Sequence, residues 1–319
     1  MMKGNILDEE AELSSLMDSE MNLTRKPAWL QKKITPSAHG EMEGLLKELS
    51  LNTVCQQARC PNITECFSKR QATFLILGRI CTRLCSFCSV SKETPFAIDP
   101  GEPASVAEAV RRLGLSHVVI TSPTRDDLPD GGAAAYAETV ACLREISPRT
   151  KVELLVPDFQ GDSAALATVV ASAPDILGHN LETVPRLYGI RSGADYRRSL
   201  ALLAEAHRLD PELKTKSGLM LGLGEEEGEL FAVLKELADT GCSYLSLGQY
   251  LAPSRQHYPV QRFVEPELFE RYKIEALALG FLHVESGPYV RSSYHADLYG
   301  ADAEPAAVEV AGGCSGGKP

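Results

Sequence analysis

From Thr73 onward the chain repeats one pattern: a short apolar run rich in β-branched residues, an amphipathic stretch, then another run. The runs are TFLIL (73–77), HVVIT (117–121), KVELLV (151–156), DILGHN (175–180), KSGLML (216–221) and YLSLGQY (244–250). Between them apolar residues recur at helical spacing. Leu200, Leu203, Ala204 and His207 fall at i, i+3, i+4 and i+7, as do Leu230, Val233, Leu234 and Leu237. Strands that alternate with helices at such intervals imply repeated βα units and a parallel sheet with crossover helices. Six units fall short of the eight that close a full barrel. The pattern therefore predicts an α/β fold, a partial TIM-type (β/α)6 barrel with its chemistry at the C-terminal ends of the strands.

The cysteines crowd around the first of these runs. CTRLCSFC (81–88) holds Cys81, Cys85 and Cys88, and CQQARCPNITEC just upstream holds Cys55, Cys60 and Cys66. Six of the nine cysteines thus fall within 34 residues, too dense for chance packing. The N-terminus, MMKGNILDEEAELSSLMDSE, is acidic and lacks the apolar core of a signal peptide, and no apolar run reaches the ~20 residues that span a bilayer. A cytoplasmic, membrane-free protein is expected, in which thiols bind metal or catalyse rather than form a disulfide framework. Structural zinc would want a fourth Cys or His nearby, and no His lies between residues 40 and 116. Three thiolates on one loop can instead hold three irons of a [4Fe–4S] cube, leaving the fourth iron to a ligand that is not protein. Cys142, in a helical stretch, and Cys242, beside a strand start, read as buried apolar residues, and Cys314 as a bystander. The net charge of −11 argues against a general nucleic-acid partner.

C-x3-C-x2-C placed directly after the first strand resembles the radical S-adenosylmethionine (SAM) superfamily, in which SAM chelates the open iron. The upstream C-x4-C-x5-C, together with RKPAWL, ATFLILG, RDDLPDGGA, HNLETVPRLY, GADYRRSL, TKSGLMLGLGE, GQYLAPS and GPYVRSSYHAD, makes the chain similar to lipoyl synthases from about residue 25 to 300. It departs from that pattern at Arg79, where an acidic residue is common, and at Pro123 and Thr124, where Val and Asp are frequent.

The resemblance implies two [4Fe–4S] clusters. Cys81, Cys85 and Cys88 would hold the one that binds SAM. Cys55, Cys60 and Cys66 would hold an auxiliary cluster, with a serine of RSSY as fourth ligand; the resemblance points to Ser293, although Ser292 adjoins it. A serine oxygen is a harder ligand than thiolate and would be that cluster's weakest attachment. The implied substrate is an octanoyl chain on a lysine of a lipoyl carrier domain or H protein, which receives sulfur at C6 and C8 from the sacrificed auxiliary cluster. Those carbons carry no acidic proton, so a general base has nothing to remove and a radical is required. A low-potential electron donor such as flavodoxin or ferredoxin and an iron–sulfur cluster repair protein are the further implied partners.

Other residues are open to two readings. Asn180 and Glu182, at a predicted strand end, suit the ribose or amino group of SAM or a buried hydrogen-bonded pair. Gly222 and Gly224 suit a close backbone approach to SAM or a plain turn. Arg291 suits orientation of the C-terminal loop or a counter-charge to an acidic carrier. Around Trp29, RKPAWLQKK (25–33) reads as an arm packed on the body or a strap near a substrate. The expected organisation is a disordered tail (1–24), an extension with the auxiliary cysteines (25–72), the radical SAM barrel (73–290), a cluster-capping segment (291–300) and a second disordered tail (301–319).

Overall fold

The computed structural model describes residues 26–31 and 40–299. The two expected tails, with Cys314, lie outside the described residues, as do Arg25, Lys32 and Lys33 of the basic arm.

The six runs form consecutive parallel strands of one sheet: β2 (Thr73–Leu75), β3 (His117–Thr121), β4 (Lys151–Leu155), β5 (Ile176–Gly178), β6 (Lys214–Leu221) and β7 (Tyr244–Gln249). Parallel strands are covered on both faces, which is why their burial is nearly continuous rather than alternating. Phe74 pairs with Ile120, Ile120 with Leu154 and Leu154 with Leu177, all fully buried. Their neighbours Thr73, Leu75, Thr121 and Leu155 line a cavity instead. Alternation along each strand therefore sends one row to the core and the other to the barrel interior.

The sheet continues past the predicted strands at both ends. β8 (His283–Gly287) adds a seventh parallel strand beside β7, and β1 (Asn52–Thr53) pairs antiparallel with β2. Among the described residues no pairing joins β1 to β8, so the barrel is partial. The stretch 41–55, which carries the apolar pattern of a short helix leading into Cys55, is divided. Helix α1 (Gly40–Glu48) stops where Ser50 turns to φ +55° and the Leu51 N–H bonds back to Leu46, which frees Asn52 and Thr53 to pair with β2.

The helices that carry the cysteines are short: α2 (Val54–Gln57) and α3 (Ile63–Ser68). Those that cover the sheet are α4 (Glu102–Leu113), α5 (Ala133–Ile146), α6 (Ser163–Ala171), α7 (Tyr196–Leu209), α8 (Glu227–Asp239) and α9 (Pro266–Ala278). Their ends follow local chemistry. α4 starts on Glu102-Pro103 and stops at Gly114, whose φ of +65° terminates it with no steric cost. Asp162 and Asp195 cap α6 and α7 through their carboxylates, and Glu226 and Glu229 cap α8 reciprocally.

Candidate functional site

The loop of Cys81, Cys85 and Cys88 leaves β2 through a strained turn. Leu77 stands at φ +65° and Gly78 at φ +83°. A non-glycine residue in that region needs outside support. Glu102 at the start of α4 supplies it by accepting the Leu77 N–H at 2.6 Å, and Arg125 donates to the Leu77 carbonyl at 3.0 Å.

Arg83, between the first two cysteines, anchors the loop. Its guanidinium is buried and reaches Asp126 at 2.7 and 2.9 Å and Asp158 at 2.6 and 3.0 Å, so the loop is tied to those following β3 and β4. Burial alone would push the Asp158 carboxyl up; hydrogen bonds and charge from Arg83 outweigh it and hold it at about 2. Backbone bonds complete the frame: Cys81 N–H to Ser91, Thr82 N–H to Thr124, Ser86 N–H to Ile190 and Tyr258 N–H to Ser86.

The other triplet sits on the extension. Thr53 caps α2 through its hydroxyl, setting Cys55 in that helix's first turn; the Cys60 N–H donates to the Cys55 carbonyl, and Cys66 lies on α3. Ser293 comes to this triplet from the far end of the chain. Thr73 is the bridge: its hydroxyl donates to Ser293 Oγ at 2.6 Å, and it hydrogen-bonds the Cys55 thiol. The adjacent Ser292 turns away and donates to Asn180 Oδ1 at 3.0 Å.

Two cavities meet at this triplet. The larger, about 500 Å³, is lined by all three cysteines of the 81–88 loop and by Asn180, Glu182 and Arg191. The second, about 310 Å³, lies behind and is lined by Cys55, Cys60, Cys66 and the 69–73 stretch that follows α3. Cys55, Cys60, Thr73, Arg291 and Ser293 line both. Ser292 lines only the larger one.

The donor sets fit thiolate-held clusters. All six thiols are free, Cys55 lies within reach of the charge of Cys60, and Cys85 and Cys88 within reach of that of Cys81. Burial raises the Cys55 and Cys85 thiols and pushes Cys88 to about 11, a cost that iron would offset by displacing the protons. Among the described residues no three His, Cys, Asp or Glu side chains are drawn together as around a single ion; each cysteine triplet instead rims a cavity.

Asn180 and Glu182 hydrogen-bond each other and line the larger cavity. Glu182 is held at φ +68° by its N–H to Gly218 and by its carbonyl accepting from Met220. Burial raises its carboxyl, with Arg191 opposing. Gly222 and Gly224 line neither cavity. They form a turn at φ +94° and +104°, and a side chain on Gly222 would meet the Arg262 carbonyl at 2.2 Å, so the close approach is to protein. Arg291 is half-buried between the two cavities; burial pulls its guanidinium down and Cys60 opposes. Lys26 brings the N-terminal arm to the wall of the larger cavity. Cys242 is buried in the core, as expected, whereas Cys142 is only partly buried and packs against the edge of that core. Thr73, Arg83 and Arg191 escaped sequence reasoning. Thr73 looks like any β-branched strand residue, and the carboxylates that hold Arg83 are distant in the chain.

The radical SAM superfamily domain matches residues 75–248. The lipoyl synthase of Geobacter sp. (strain M21) is 80% identical over 279 residues, 88% of this chain and 96% of that protein. The lipoyl synthase of Citrifermentans bemidjiense is 81% identical over 279 residues with the same shares. Streptococcus suis SuiB bound to S-adenosylmethionine superposes with a TM-score of 0.53 at 13% identity, over 77% of this chain and 60% of that one, a likeness of fold.

Proposed function

The chain belongs to the lipoyl synthase family of radical SAM enzymes, and from that premise we propose that it inserts two sulfur atoms, at C6 and C8 of a protein-bound octanoyl group, drawing them from an auxiliary cluster. The observation that carries this reading is that Cys81, Cys85 and Cys88 line one cavity together with Cys55, Cys60 and Ser293, while Cys66 lines the smaller cavity that adjoins it. A substrate chain there can be reached from two sides. When bound, the SAM-binding cluster with SAM supplies the hydrogen-abstracting radical and the auxiliary cluster supplies sulfur.

The chain's own residues do the rest. Cys81, Cys85 and Cys88 hold the SAM-binding cluster, on a loop that Arg83 keeps rigid. Asn180 and Glu182 orient SAM, the carboxylate of Glu182 receiving a cationic amino group that would relieve its burial. Cys55, Cys60, Cys66 and Ser293 hold the auxiliary cluster. Leu75, Leu155, Leu219 and Val290 give the larger cavity an apolar wall that suits an alkyl chain and excludes water from a reactive radical. Residues 25–72 and 291–300 thus act as the auxiliary-site extension and its cap, around a barrel of 73–290. The acyl chain arrives on a carrier domain or H protein. Lys26, on the arm beside the cavity, offers local positive charge to an acidic carrier. A flavodoxin- or ferredoxin-type donor reduces the enzyme and a repair protein restores the auxiliary cluster. No helix among the described residues is long and apolar enough to cross a membrane, and we place the work in the cytoplasm.

The test is the mass of an octanoyl-lysine peptide after anaerobic incubation with reconstituted protein, SAM and a strong reductant. Gain of two sulfurs is expected. Cleavage of SAM with no change in peptide mass would keep the radical chemistry and overturn the substrate.

A further inference from the structure

The chain beyond β8 makes contacts at both ends of the barrel. Val290 passes against Gly248 near the C-terminal end of β7, where an added side-chain carbon would meet the Val290 carbonyl at 2.1 Å. Tyr299 ends against Tyr244, the first residue of the same strand, at 5.3 Å between ring centroids. Between them Ser293 meets Thr73 and Asp297 meets Gln71.

Tyr299 has no accessible surface and is received by a built socket. The Lys216 ammonium lies 3.6 Å from its ring centroid, the His283 ring packs edge-on at 4.8 Å, and its hydroxyl donates to the Leu245 carbonyl at 3.3 Å. Lys216 is itself fully buried on Glu153 at 2.8 Å, and Glu153 lies 3.2 Å from His117 Nε2. A buried ion pair is costly to maintain, and neither Lys216 nor Glu153 lines the cavities where the chemistry takes place. The ring over the ammonium gives that pair a use.

The smaller cavity shows what the socket would control. Ser293, Tyr294, Ala296 and Asp297 form one wall, with Cys60 and Cys66 among the residues facing them. Lifting the segment would withdraw Ser293 and uncover Cys66, which lines the smaller cavity alone, whereas Cys60 is reached from the larger cavity as well. We propose that Tyr299, seated on Lys216, is a positioning residue that latches residues 291–299 over the auxiliary thiols. Its release opens the smaller cavity, so that iron and sulfide reach those thiols without crossing the substrate side. The purpose of the latch rests on the reading of Cys55, Cys60 and Cys66 as auxiliary ligands; its existence does not.

The experiment therefore uses the reduced, iron-free full chain. Alkylation by iodoacetamide is timed at each cysteine by peptide mass in the parent, Tyr299→Leu and Tyr299→Phe. The Leu variant is expected to react at least about tenfold faster at Cys66, with Cys85 and Cys88 unchanged, and the Phe variant, which keeps the ring, within about threefold of the parent. Equal rates at Cys66 in parent and Leu variant would overturn the latch. Should Cys242 also react, the variant has lost its fold, and hydrogen exchange in the parent decides. Amides of Tyr294, Leu298 and Tyr299 that open together support the latch; exchange at free-chain rates overturns it. The auxiliary-ligand reading fails separately, by the parent taking up about four irons per chain on reconstitution instead of about eight.

Discussion

Replacing Arg83 by Met tests how the loop of Cys81, Cys85 and Cys88 is held. The substitution removes four hydrogen bonds, two to Asp126 and two to Asp158. The Asp158 carboxylate has no accessible surface and would keep only Arg198, at 2.9 Å, with the Gln160 N–H. Breaking a buried pair by removing one partner costs about 3–5 kcal/mol. Arg198 remains and Asp126 is partly open to water, so about 2–3 kcal/mol is expected here. Proton linkage gives the same scale. A carboxyl held at about 2 in the fold against an ordinary 3.8 carries about 2 kcal/mol of stability. The sign follows from its being lowered: that stability is complete above pH ~4 and is lost as pH falls towards ~2. Urea unfolding of the iron-free chain at pH 7 should show the full loss in the variant, and the gap between parent and variant should narrow at pH 3. Arg83→Lys should recover only part, since one ammonium cannot reproduce the fork between two carboxylates. A Met variant within about 0.5 kcal/mol of the parent at pH 7 would refute the reasoning.

Two other changes separate the parts of the site. Gly248→Ala would set a carbon 2.1 Å from the Val290 carbonyl, displacing the segment that carries Ser293; a stability loss of about 1–3 kcal/mol is expected, and, on the proposed reading of Cys55, Cys60 and Cys66 as cluster ligands, poorer iron retention there. Full retention at parental stability would show that the segment does not depend on that close approach. Glu182→Gln should weaken SAM binding by about tenfold or more in equilibrium dialysis while iron content stays constant; unchanged affinity would remove Glu182 from the SAM site.

The parts legible in the sequence are those written at short range. Buried parallel strands read as unbroken β-branched runs, so all six central strands were found. β8 was missed because HVESG keeps only Val284 fully buried, and β1 because two residues carry no period. The cysteine spacing marked both triplets, since residues on one loop or on neighbouring short helices are already held near each other by the chain. Family resemblance favoured Ser293, and local pattern could not separate it from Ser292. The division of labour between those two serines depends on Thr73, 220 residues from Ser293, and on Asn180, 112 residues from Ser292. The same holds for Arg83 and its two aspartates, for the turn that takes Gly222 and Gly224 away from the cavity, and for the socket under Tyr299. Strand periodicity and cysteine spacing survive in any local stretch, so the amino-acid order alone determined the fold class and the cysteine sets. Which distant side chains meet depends on how far the sheet curls and where the last segment re-enters it, and only the assembled tertiary structure decided that.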